Sequence, residues 1–142
     1  QKNTARLLYL VARSEYINYL KKFYKKKIIL LDRFTDSTLA YQHFGMGVNL
    51  DIIKKINDHI LNNFKVNFTF LNIVNEKNMI KRLRNRVKLN RYDKFNKDFY
   101  RRVQKGYLKL SKNKKKYQII DSNLSIETNK KYIINKIEKL IR

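Results

Sequence analysis

The chain has 142 residues, a length typical of one domain, and its 43% of apolar residues is enough to bury a core. Its 34 basic against 11 acidic residues give a formal net charge of +23, which favours an anionic partner. The absence of cysteine excludes disulfides and a cysteine nucleophile, and the two histidines, His43 and His59, argue against a zinc site.

The composition also weakens the case for nucleic acid as that partner. The chain holds 24 Lys, 17 Asn, 16 Ile and 10 Tyr, all of which have A/T-rich codons, and it has no proline. Mutational bias can therefore raise the charge without selection for a basic function. No apolar run approaches the ~20 residues that span a bilayer, and no signal-peptide core is present at the start. We expect a soluble, cytoplasmic protein without a membrane partner.

Helical and extended patterns alternate along the chain. Apolar residues at helical spacing predict helices over 5–27, from about Ser37, and over 50–63, 76–86, 96–112 and 126–142. Short apolar runs predict strands over 27–32, 66–74 and 117–121. Strands that alternate with helices indicate an α/β fold with a parallel sheet. With no linker or repeat, we predict a single domain over residues 1–142.

The first predicted strand ends in two charged residues, Asp32 and Arg33. Ligands of parallel sheets bind beyond the carboxyl ends of the strands, where an acid can orient a metal-bound water and an arginine can bind phosphate. The alternative is a surface ion pair at a strand end.

Three segments together resemble the thymidylate kinase family. They are LLYLVARSEY (7–16), LLDRFTDSTLAYQHFGMG (30–47) and NRYDKFNKDFYRRVQKGY (90–107), in the family's order and at similar distances. The resemblance implies a three-layer, P-loop kinase-like fold, in which helices flank a parallel sheet. It also implies transfer of the γ-phosphoryl group of MgATP to dTMP, with Mg²⁺ as the cofactor and a homodimer as the assembly.

The resemblance assigns an acceptor site to residues of the first two segments. Tyr9 is in the position of an aromatic residue that stacks on thymine; its alternative is a core aromatic. Arg13 is in the position of an arginine that touches base and phosphate; its alternative is a solvated helix charge. Arg33 corresponds to the arginine that holds the acceptor phosphate. Asp32 corresponds to an acid that helps to organise magnesium and contributes to catalysis.

The helix after Arg33 supplies three more positions of this acceptor site. By resemblance, Thr38 lies near the base, Tyr41 packs against the deoxyribose and excludes a 2′-hydroxyl, and Gln42 lies at the pyrimidine edge. Each has a plain alternative as a helix cap or a polar residue at the edge of the core.

Residues 82–97 correspond to the family's lid, which closes over the ATP phosphates. Cationic groups that stabilise spread negative charge dominate catalysis of phosphoryl transfer. The resemblance points to catalytic roles for Arg91, Arg82 and Arg86, with Lys81 as a replacement for Arg82 and with Arg84 and Lys88 nearby. The alternative is a solvated face in a cation-rich chain.

The sequence contains no Gly-x-x-x-x-Gly-Lys-(Ser/Thr) segment, which P-loop kinases use to cradle phosphates. We therefore expect the first two strands of the fold to be absent, and the chain to be the C-terminal portion of a longer kinase, inactive by itself. A second hypothesis is a non-catalytic remnant that binds nucleotide or polyanion through its basic surface.

Overall fold

The computed structural model describes residues 2–88 and 95–141, with side chains from residue 11 onward. Its helices are α1 (Lys2–Lys21), α2 (Thr35–Thr38), α3 (Leu50–Leu61), α4 (Glu76–Arg84), α5 (Lys97–Leu110) and α6 (Ile126–Ile141), and a π-helix (Leu39–Gly45) follows α2. Its strands are β1 (Thr69–Ile73) and β2 (Tyr117–Asp121). The chain divides into two compact units, Gln1–Val66 and Asn67–Arg142. This division does not test the predicted single domain, which stays a prediction.

The first unit is built on the second half of α1. Ile17 and Leu20 are buried with Phe64, and Tyr24, Ile29 and other partly buried apolar residues pack against them. Helix α1 ends before the predicted residue 27, because the chain turns after Lys21 and Lys25 takes a left-handed φ of 66°. A non-glycine residue in that region interrupts a right-handed helix.

The strand predicted over 27–32 does not form in the described structure, so that prediction is wrong. Ile28 and Leu30 are 65% and 79% exposed, and the sheet of the described residues contains β1 and β2 alone. Strand geometry depends on hydrogen bonds to a neighbouring strand. An apolar run without such a neighbour remains irregular, whatever its β propensity.

The second unit contains the parallel sheet. Strands β1 and β2 pair in parallel, from Thr69 opposite Tyr117 to Ile73 opposite Asp121. Leu71 and Ile120 are buried in the strands, and Phe99 and Val103 are buried on α5. The connection from β1 to β2 runs through α4 and α5, as the parallel direction requires. The predicted α/β class with a parallel sheet is thus confirmed.

Asparagine side chains define where three of the helices begin. Asn49, Asn75 and Asn96 precede α3, α4 and α5, and each side-chain oxygen accepts a hydrogen bond from a backbone N–H of the first turn. Such caps satisfy donors that have no partner inside the helix. The segment predicted as a lid, 82–97, begins within α4 and ends at the first residue of α5, and its residues 89–94 lie outside the described residues.

Candidate functional site

Arg13 is a buried cation of the first unit. Its side chain is on α1 and only 8% exposed. Its Nη1 donates to Oδ1 of Asn57 at 3.2 Å, and its Nη2 donates to Oγ1 of Thr38 at 2.5 Å. The guanidinium also lies over the ring of Phe34, 5.8 Å from the ring centre. A solvated helix charge does not fit this burial, so that alternative is wrong for Arg13.

The cluster brings together two predicted site residues, Arg13 and Thr38, and two residues that we did not predict. Arg13 and Thr38 lie 25 positions apart in the sequence, and their roles in binding stay predictions. Asn57 and Phe34 complete the cluster. Asn57 had a sequence signal, because it interrupts the apolar stripe of α3 formed by Ile53, Ile56 and Ile60. A polar residue in such a stripe needs a buried partner.

Arg33 lies on the turn that leads into α2. Its φ is 62°, a left-handed conformation that costs a non-glycine residue about 1–2 kcal/mol. Its guanidinium lies 5.4 Å from the ring centre of Tyr41. The side chain is exposed, as is that of Asp32 before it. Strained backbone of this kind clusters at functional sites, where a side chain must point in a set direction.

Tyr41 and Gln42 lie within the π-helix. This helix type is rare and is frequent at functional sites. Oε1 of Gln42 is buried and has no hydrogen-bond partner in the described structure. Leaving a buried acceptor without a donor costs about 1–3 kcal/mol. Gln42 therefore has an acceptor suited to an N–H group of a bound molecule.

The remaining predicted residues are placed in part. Tyr9 is on α1, with its side chain outside the description, and Arg91 lies outside the described residues. Arg82 is on α4 in the second unit, where its Nη2 donates to the backbone oxygen of Ser122 at 2.6 Å. Arg86 follows the end of α4 and is exposed. The stacking role of Tyr9 and the catalytic roles of the three arginines stay predictions.

Asp32 offers a single carboxylate for Mg²⁺. Within residues 2–88 and 95–141, no group of three or more His, Asp or Glu side chains could hold a metal ion. Mg²⁺ fits a sparse donor set, since it commonly uses one or two carboxylates together with waters and substrate phosphates. The donor set is compatible with a magnesium ion held mainly by nucleotide phosphates.

None of the described helices combines the length and the apolar character that crossing a membrane requires.

Comparison with known proteins gives a consistent result. The family model described as thymidylate kinase matches residues 1–133. A thymidylate kinase of Trichodesmium erythraeum is 36% identical over 129 residues, which cover 89% of this chain and 57% of that protein. A thymidylate kinase of Kosmotoga olearia is 31% identical over 127 residues, covering 87% of this chain and 61% of that protein.

The fold agrees with a solved structure. The crystal structure of thymidylate kinase from Ehrlichia chaffeensis matches with a TM-score of 0.71 at 25% identity, over 97% of this chain and 65% of that one. The chain therefore spans between 57% and 65% of the length of these relatives.

Proposed function

The chain belongs to the thymidylate kinase family, and we propose that it forms the acceptor-binding and lid-bearing part of an enzyme that converts dTMP to dTDP. The γ-phosphoryl group of MgATP would be the group transferred. The homodimer and the cytoplasmic location stay predictions.

The observation that carries this proposal is the buried Arg13 cluster. Removing a guanidinium from water is expensive unless its donors are satisfied. The structure supplies Asn57 and Thr38 as acceptors. Both are neutral, so neither cancels the charge of the guanidinium. A buried guanidinium whose orientation is fixed by such bonds suits recognition of an anionic nucleotide.

The neighbouring residues supply complementary roles for a nucleoside monophosphate. Arg33 offers a planar fork of donors that fits two phosphate oxygens, and its left-handed backbone sets its direction. The ring of Tyr41 would pack against the sugar. The unpartnered Oε1 of Gln42 offers an acceptor for N3–H of thymine. Tyr9 would stack on the base.

The lid arginines would act on the phosphoryl donor, ATP. Arg82, Arg86 and Arg91 would stabilise the negative charge that spreads over the phosphates in the transition state. Asp32 would hold Mg²⁺, which when bound supplies positive charge at the phosphates. We further propose that phosphate cradling comes from residues outside these 142, since the sequence has no Gly-x-x-x-x-Gly-Lys segment.

The test measures dTMP-dependent release of ADP by the complete protein in a coupled assay. We expect turnover that requires Mg²⁺ and dTMP. Arg33→Ala should raise KM for dTMP and lower kcat together, because the arginine binds the phosphate in both the ground and the transition state. Lys22→Ala, an exposed cation of the same unit, is the control and should change neither.

Two results would contradict the proposal. One is an absence of dTMP-dependent turnover in the complete protein, and the other is unchanged kinetics of Arg33→Ala. The 142-residue chain assayed alone should show no turnover. Activity of that chain would contradict the proposed source of the phosphate cradle.

A further inference from the structure

His43 is a half-buried residue of the π-helix, and neither the resemblance nor the proposed reaction gives it a role. Its Nδ1 lies 2.8 Å from the backbone oxygen of Val48. A carbonyl oxygen can only accept a hydrogen bond, so Nδ1 carries the proton and donates it. The imidazole therefore joins the π-helix to the turn that leads into α3.

Three hydrogen bonds close this turn on the backbone of Gln42 and His43. The N–H of Gly47 donates to the backbone oxygen of His43 at 2.8 Å, and the N–H of Val48 donates to that of Gln42 at 2.9 Å. The bond from His43 Nδ1 is the third, so both the N–H and the C=O of Val48 are held. Gly47 lies between them with a φ of 74°, which an L side chain rarely adopts. These three bonds form the Val48 clamp.

The Val48 clamp acts on the residue that has an unpartnered buried acceptor. Oε1 of Gln42 has no hydrogen-bond partner in the part of the chain that the structure describes, and leaving it so is costly. A turn selected for stability alone would let the chain relax until this oxygen met a donor or water. Costly local arrangements persist only where the surrounding structure holds them. The clamp supplies that hold, because it fixes the backbone of Gln42 on its C-terminal side.

We propose that His43 is a positioning residue, which holds Gln42 through Val48 in the conformation that receives the base of a nucleoside monophosphate. The inference rests on the proposed function, in which Oε1 of Gln42 accepts a hydrogen bond from the base. His43 acts on the substrate through Gln42, by donating to a backbone oxygen.

The test compares His43→Leu and His43→Asn in the complete protein. Leucine removes the donor, whereas the amide nitrogen of asparagine is bonded to Cγ, as Nδ1 of histidine is, and keeps a donor there. His59→Leu makes the first change at an exposed histidine of α3 and is the matched control. The coupled assay measures KM for dTMP and for ATP, calorimetry measures dTMP binding, and circular dichroism measures folding.

We expect His43→Leu to raise KM and Kd for dTMP about threefold to tenfold, the loss typical of one hydrogen bond. KM for ATP should stay within twofold of the wild-type value, because Gln42 belongs to the acceptor site. His43→Asn should bind dTMP within twofold of the wild type, and His59→Leu should change neither KM. When Gln42 is already leucine, His43→Leu should add no further loss, since His43 acts through Gln42.

Gly47→Ala tests the Val48 clamp independently of His43. A Cβ on Gly47 would meet no atom within 4 Å, so the substitution adds only the strain of its positive φ. We expect the same selective weakening of dTMP binding, again without a further loss when Gln42 is leucine. If His43→Leu does not fold, Gly47→Ala decides: unchanged dTMP binding overturns the inference.

Four other results would also overturn the inference. Unchanged KM for dTMP in His43→Leu would remove His43 from the site, and equal rises of KM for dTMP and ATP would show a merely structural role. A further loss in the Gln42→Leu background would show that His43 does not act through Gln42. Failure of both His43→Leu and Gly47→Ala to fold would show that the clamp serves the fold.

The proposed function fails separately from this inference. A wild-type protein that binds dTMP without phosphorylating it would contradict the kinase reaction, while the dTMP affinities of the variants still test His43. A wild-type protein that binds no dTMP would overturn both.

Discussion

Replacing Arg13 by lysine keeps the positive charge but removes the geometry of the guanidinium. One ammonium nitrogen then stands in place of the two nitrogens that donate to Asn57 and Thr38. We expect one of the two bonds to be lost, together with the planar contact over Phe34. Loss of a hydrogen bond from a charged group costs about 1.5–3 kcal/mol. We take about 2 kcal/mol as the expected fall in the free energy of unfolding.

Urea denaturation of the complete protein, followed by circular dichroism, measures this change. For a slope of about 1–3 kcal/mol per molar urea, the midpoint should fall by about 1 M. Arg84→Lys is the control, because Arg84 is an exposed arginine of the second unit. It should change the free energy of unfolding by less than about 0.5 kcal/mol. A similarly small change in Arg13→Lys would refute the reasoning, since the buried cluster would then contribute no more than a surface residue.

Three further predictions concern single side chains. Gln42→Leu removes the unpartnered buried acceptor, so the melting temperature should stay the same or rise, while KM for dTMP should rise. An unchanged KM would exclude Gln42 from the base edge. Tyr41→Ala should increase the rate of UMP phosphorylation relative to that of dTMP, whereas Tyr41→Phe should not. If the Ala variant still phosphorylates dTMP but UMP remains an equally poor substrate, Tyr41 does not exclude the 2′-hydroxyl sterically. Arg101 donates hydrogen bonds to both carboxylate oxygens of Glu76, and these bonds raise the pKa of the arginine. Glu76→Gln should lower the melting temperature by less than about 4 °C, and 0.5 M NaCl should abolish this effect. The control, Glu127→Gln in the first turn of α6, should show no salt-dependent loss. A loss that persists in salt would contradict an exposed ion pair.

Local sequence patterns were sufficient for much of the fold. Strand β2 has the predicted bounds, 117–121, and α6 begins at the predicted residue, Ile126. Both segments have strong apolar patterns bounded by polar or turn residues, so local preference and burial agree. The residue types and spacing from Asp32 to Gln42 carry the family resemblance, which likewise depends on local sequence alone.

The tertiary structure decided what depends on distant partners. The run over 27–32 has the composition of a strand, but the described chain gives it no neighbouring strand to pair with. Whether Arg13 is a surface charge or a buried one cannot be read from its helix, because the acceptors that allow its burial are 25 and 44 positions away. Sequence spacing specifies which residues share a helix face, whereas the free energy of a buried cation depends on the groups that folding brings against it.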